Sequence, residues 1–198
     1  MSRLRLISLV TLALLSASCT TPTAAPASSA SPGEPASTAL SREEAIAKAG
    51  AAFGEFGEEL KSELTQAMSA GGPVNAVKVC QQRAPQLAAE HSKKLGFPLG
   101  RSSHRLRNDN NAPDQALASY LEQYSESGPQ APVEAYQHEN QWTVVAPIVT
   151  QPMCLACHGD PQTFSAELKA ALAQSYPNDN ATGFQTGDLR GVFWARLP

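Results

Sequence analysis

From residue 41 onward, apolar positions recur at helical spacing. Ile46, Ala49, Phe53, Phe56, Leu60, Leu64 and Met68 follow one another at intervals of three and four, which places them on one face of a long helix. Ser41-Arg42-Glu43-Glu44 reads as a capping box opening that helix, and Gly71-Gly72 is expected to stop it. Such a stripe normally faces a core, and it also suits a homodimer seam. A second helix is predicted from Pro73, a favoured first position, to Gly96, a favoured end. Its buried stripe comprises Val74, Val77, Ala84, Leu87 and Leu95. Cys80 shares that face and so points inward, and Pro85 is expected to kink the helix just after it. His91 lies about 16 Å beyond Cys80 along the helix, and it reads as a partly buried or helix-end histidine.

The period then changes to two. Pro98 to Arg107 reads as a strand with Leu99, Arg101, Ser103, Arg105 and Arg107 on one face. Asn108 to Asn111 is a turn, and Pro113 and Asp114 start a short helix to about Tyr124. Val133 to His138 and Trp142 to Ile148 form a predicted hairpin, with Trp142, Val144, Ala146 and Ile148 facing inward. Phe164 to Ala173 is a helix ended by Tyr176-Pro177. Residues 178–189 form a polar loop, and Gly191 to Leu197 is a closing strand with Val192 and Trp194 or Phe193 buried. Short strands and helices without a strand-helix-strand repeat indicate an α+β fold with an antiparallel sheet.

The first 40 residues follow a different pattern. Arg3 and Arg5 precede the apolar run Leu6 to Leu15, and small residues then lead to Cys19. This is the layout of an export signal, and the run is too short to span a bilayer. Leu14 to Cys19 resembles a lipobox in which Cys19 is lipidated, although Ser16 stands where an aliphatic residue is usual; ordinary cleavage near residues 24–27 is the alternative. Residues 20–40 are rich in Ala, Pro, Ser and Thr and read as a disordered tether, leaving residues 41–198 as the domain. The chain has a net charge of −3, and loss of Arg3 and Arg5 makes the mature protein more acidic. That excludes nucleic acid as a partner. The expected location is the periplasm, with a lipid anchor to the membrane.

Between the predicted hairpin and the following helix lies Cys154-Leu155-Ala156-Cys157-His158. C-x-x-C-H is the spacing for covalent haem attachment, in which two thiols bond one edge of the macrocycle and the adjacent imidazole becomes an axial ligand. A thioredoxin-like pair would require a preceding βαβ run, which is missing. A zinc site built from Cys80, Cys154, Cys157 and His158 would strain at the adjacent pair 157–158. The expected cofactor is therefore a single haem c. In an oxidising compartment Cys80 has no protein thiol left to pair with, so it is either an inert buried residue or a ligand. Arg101, Arg105 and Arg107 lie in a basic stretch of an otherwise acidic chain, and guanidinium forks suit the carboxylates of haem propionates.

Four segments carry a family likeness. They are Val79-Cys80 with Ala84-Pro85; Gly100 to Ser103 through Arg105 and Arg107-Asn108 to Asn111 and Pro113; Cys154 to Gly159; and Tyr176-Pro177 through Ala181-Thr182-Gly183 to Gly187-Asp188-Leu189-Arg190-Gly191. In these the chain resembles a family of single-haem c-type domains with a PAS-like fold, found in bacteria as exported proteins and extracytoplasmic sensor modules. The resemblance implies His158 as proximal and Cys80 as distal ligand. Asp109 stands where the family commonly has proline. Met68 belongs to the first helix's stripe and Met153 adjoins an attachment cysteine, so neither is expected to replace Cys80; His104 or an open position are the remaining alternatives. A thiolate ligand favours ferric iron and a low potential. The function implied is a low-potential electron carrier with a redox partner protein. The alternative is a redox or gas sensor in which Cys80 leaves the iron and a signalling partner responds. Ligation on both faces argues against an enzyme.

Overall fold

The computed structural model describes residues 39–128 and 130–198, so the expected signal segment and Cys19 lie outside the described residues. Ser41 begins the first helix, α1 (Arg42–Lys78), with the expected reciprocal cap. The Glu44 N–H donates to the Ser41 hydroxyl at 3.2 Å, and the Ser41 N–H donates to the Glu44 carboxylate at 2.8 Å. Gly71 and Gly72 leave helical geometry, Gly72 at φ +66°, where a side chain would be strained. The helix resumes at once through Pro73, and the Asn75 side-chain amide donates to the Ala67 carbonyl at 3.1 Å across the break.

The disturbance expected just after Cys80 takes the form of a π turn. Val79–Arg83 form a π-helical turn, closed by the Ala84 N–H donating to the Val79 carbonyl. Pro85 has no N–H for the Gln81 carbonyl, and its ring would press on that carbonyl in a regular helix. A wider turn relieves both problems, and Cys80 rides on it. The chain then continues as α2 (Ala84–Leu95) to Gly96, which is left-handed at φ +77°. Val74, expected inside, is exposed beside the glycine break.

Four strands form one antiparallel sheet in the order β1-β4-β3-β2. They are β1 (Leu99–Ser102), β2 (Glu134–His138), β3 (Gln141–Val149) and β4 (Leu189–Leu197). The strand expected over Pro98 to Arg107 is therefore cut short at Ser102. Its alternation misleads because Ser103 leaves the ladder to donate its hydroxyl to the Arg190 carbonyl at 2.7 Å. Arg105 and Arg107 consequently share no strand face with Arg101. The helix α3 (Gln115–Ser127) is capped by Asp114, which accepts from the Leu117 N–H at 3.0 Å.

Both faces of the sheet are covered. On one, α1 and α2 pack Phe53, Phe56, Leu60 and Leu87 against Val144, Ala195 and Leu197. On the other, α3 packs Leu117, Leu121 and Tyr124 against Val145 and Val192. Val145 is thus as deeply buried as Val144, and the expected inward set of Trp142, Val144, Ala146 and Ile148 describes only one side of β3. A smaller cluster joins Val77 to Leu168, Leu172 and Tyr176 at the helix α5 (Ala166–Ser175). Among the described residues no helix is long and apolar enough to cross a membrane.

Candidate functional site

Where the far half of α1, the π turn and the ends of β1, β3 and β4 meet, they leave a cleft with an empty volume of about 1160 Å³, its open mouth included. Leu64, Met68 and Val77 make an apolar wall, and Cys80, Arg101, Arg107, Cys154, Cys157 and His158 all line the same space. Residues as far apart as Leu64 and His158, 94 positions in sequence, therefore converge. Met68 reaches the cleft as well, so its stripe serves core and cleft alike.

The motif sits on a short helical turn, α4 (Leu155–His158), preceded by a 3₁₀ turn over Pro152–Cys154. Gly159 closes it tightly: a Cβ there would lie 2.7 Å from the Leu155 carbonyl oxygen. Cys80, Cys154 and Cys157 are free thiols, and burial pushes the Cys157 thiol up. The loop after α5 is pinned onto this turn. Gly183 N–H donates to the Gly159 carbonyl at 2.6 Å and Phe184 N–H to the His158 carbonyl at 2.9 Å.

His158 Nδ1 lies 2.7 Å from the Ala181 carbonyl oxygen. A carbonyl can only accept, so Nδ1 carries the proton and Nε2 keeps its lone pair. Burial, reinforced by the charges of Arg190 and Arg107, holds the imidazole well below its ordinary pKa and hence neutral. The Phe184 ring meets it edge to face at 6.4 Å between centroids. A neutral imidazole fixed through Nδ1 is the usual state of a metal-binding histidine.

The three expected arginines part company. Arg101 lines the cleft with its guanidinium 5.9 Å from the centre of the Phe56 ring. Among the described residues its side chain has no hydrogen bond or ion pair, and burial lowers its pKa. Arg107 is consumed by the protein itself, pairing with Asp179 at 2.9 Å and donating to the Cys157 carbonyl at 2.6 Å. Arg105 stands outside the cleft, stacked 4.2 Å over Phe184 and bonded to the Asn180 carbonyl. Its expected place beside a cofactor carboxylate is not where the fold puts it, because the strand that would have aligned it ends at Ser102.

Arg190 was not among the residues singled out for the site, yet it lines the cleft. Its Nη1 donates to the Ser103 hydroxyl at 3.1 Å, while its Nε is buried without a partner. Burial, then Arg107 and Arg101, push its pKa down to about 10. Tyr176 also lines the cleft; burial and then Cys80 push its phenol up to about 12. The signal for Arg190 lay in its neighbour Gly191, which a close backbone approach requires. His104 faces a separate depression with Phe184, so it does not compete with Cys80. His91 is remote, bonded to Glu59 at 2.8 Å. Among the described residues no three His, Cys, Asp or Glu side chains converge on a common point as a zinc site would need.

A group joined to Cys154 and Cys157 and ligated by His158 requires free thiols, a neutral imidazole and partners for its carboxylates. The cleft contains each of these, the last as Arg101 and the unpartnered Nε of Arg190.

The chain belongs to the Tll0287-like family, whose model matches residues 33–198. The fold is similar to that in the crystal structure of the cyanobacterial heme-protein Tll0287, with a TM-score of 0.61 and 24% identity, over 80% of this chain and 97% of that one. No curated protein matches the chain.

Proposed function

We propose that the protein is an exported c-type haem protein of PAS-like fold, serving as a low-potential electron carrier. The observation that carries this reading is the fixed, neutral His158, its Nε2 free, lining one cleft with Cys80, Cys154 and Cys157. The structurally similar cyanobacterial protein is a heme-protein, which supports this reading. When bound, the group supplies one-electron chemistry at iron.

The chain's own residues do the rest. Cys154 and Cys157 fix the group on one helical turn, and His158 offers Nε2 from one side. Cys80, on its widened turn, would hold the group through sulfur as a further ligand, and a thiolate ligand would favour the oxidised state. Arg101 and Arg190 would take the carboxylates, giving the Arg101 guanidinium and the buried Arg190 Nε the partners they lack. Two protein ligands on the iron would leave no position there for a substrate, which supports transfer over catalysis. The partner is a redox protein, met at the membrane surface if Cys19 is lipidated.

A second reading, a redox or gas sensor, is favoured by the π turn. Such turns concentrate at functional sites, and a return to regular helix would rotate Cys80 out of the cleft.

The test is production of the full chain in cells with haem-attachment machinery. Pigment should survive denaturing electrophoresis and disappear in Cys154→Ala/Cys157→Ala. A colourless protein, or one that loses its pigment to acidified acetone, overturns the reading. Electron paramagnetic resonance of wild type and Cys80→Ala tests the ligand, since a low-spin thiolate signal should vanish with the sulfur. Rapid carbon monoxide binding to the reduced wild type, with loss of that ligand, would favour the sensor.

A further inference from the structure

The Ala181 carbonyl receives two hydrogen bonds, one from His158 Nδ1 at 2.7 Å and one from Arg107 Nη2 at 3.2 Å. Arg107 is in turn held by Asp179, and the other oxygen of Asp179 accepts the Ala181 N–H at 2.8 Å. The peptide that orients the histidine is therefore gripped at both its N–H and its C=O. The same Nη2 reaches the Cys157 carbonyl at 2.6 Å, which lies at the end of α4 where a short helix has no intrahelical donor for it. Arg107 and Asp179 are both largely buried, so solvent screens these contacts little.

We infer that Arg107 is a positioning residue for His158, acting through the Ala181 carbonyl. A carbonyl shared with a guanidinium has less electron density to offer the imidazole N–H. That N–H bond is then weaker, Nε2 is less basic, and the histidine donates less to a metal. Asp179 sets how firmly Arg107 draws on the shared oxygen. The effect on a reduction potential rests on the haem reading above, whereas the effect on the imidazole does not.

Arg107→Lys is the decisive variant, because it keeps a cation but cannot hold Asp179, Cys157 and Ala181 together. With the carbonyl released, the His158 Nδ1 proton resonance should move downfield and the midpoint potential of the pigmented protein should fall. Arg105→Lys, outside the clamp, should change neither. If Arg107→Lys leaves both quantities at the wild-type values, or shifts the proton upfield, the inference is overturned. Should that variant fail to fold, Asp179→Asn carries the same two expectations. Its lost negative charge alone would raise the potential, so a fall distinguishes the clamp from simple charge, and a rise without a downfield shift overturns the inference. A colourless protein in which the Nδ1 proton still moves downfield would refute the haem reading and leave this one standing.

Discussion

Gly191 lies so close to Ser102 that a Cβ on the glycine would stand 2.3 Å from the serine's carbonyl oxygen. The contact falls where β1 meets β4, at the pairing of Ser102 with Val192, between the two cleft arginines 101 and 190. Any side chain at 191 must part the strands. Gly191→Ala is expected to cost about 2 kcal/mol or more, as overpacking of a tight site does. Urea unfolding measures it, and an unchanged midpoint would mean that β1 moves freely.

Phe56 is fully buried between Phe193, whose ring centre is 5.9 Å away, and His91 at 5.7 Å. Phe56→Ala should destabilise the protein by about 3–5 kcal/mol through lost burial and the void left behind. Thermal unfolding checks the magnitude. Because Arg101 lies over the same ring, the loss should also loosen the cleft-facing guanidinium.

Asp114 caps α3 and pairs with Arg196, and the Leu117 N–H first, then Arg196, hold its carboxyl below the usual 3.8. A carboxyl depressed by folding stabilises the native state above its unfolded pKa, and that contribution is lost as pH falls through the folded value. Asp114→Ala should therefore cost about 1 kcal/mol at neutral pH, as a lost cap does. The gap between wild type and variant should close in acid well below pH 3.8. Unfolding curves at the two pH values test the sign.

Arg101 and Arg190 face the cleft, whereas Arg105 does not. Arg101→Gln and Arg190→Gln are expected to lower the midpoint potential of the pigmented protein, since loss of a nearby cation favours ferric iron. Arg105→Gln should leave it close to wild type. Spectroelectrochemical titration of the three variants separates the roles, and equal shifts in all three would contradict the division.

What could be read from the sequence was what neighbours in the chain decide. Ser41 and Glu44 are three residues apart, Ile46 to Leu60 repeat at helical spacing, and Cys154, Cys157 and His158, within five positions, line one cleft. What could not be read depends on distant partners. The strand after Pro98 looks continuous to Arg107 because its alternation persists, and only Arg190 and Gly191, nearly 90 residues on, take Ser103 out of the ladder. Arg105 and Arg107 look alike by charge and spacing. Asp179 and Phe184, on a returning loop, assign one to a buried clamp and the other to an aromatic stack. Pro85 was legible as a disturbance, but the π turn by which the helix accommodates it was not.

Strand order has a temporal meaning as well. An inner strand of the sheet, β4, is the last of the described strands to be synthesised, and β1 pairs with nothing else. Until residues 189–197 arrive, the chain holds a lone hairpin, which is marginal in water, and an unmatched edge. The thiols at 154 and 157 are thus presented on an open chain before the cavity behind them closes. An assembly machine needing access to those sulfurs would act in that interval, and a mutant that hastened closure would be poorly served by it.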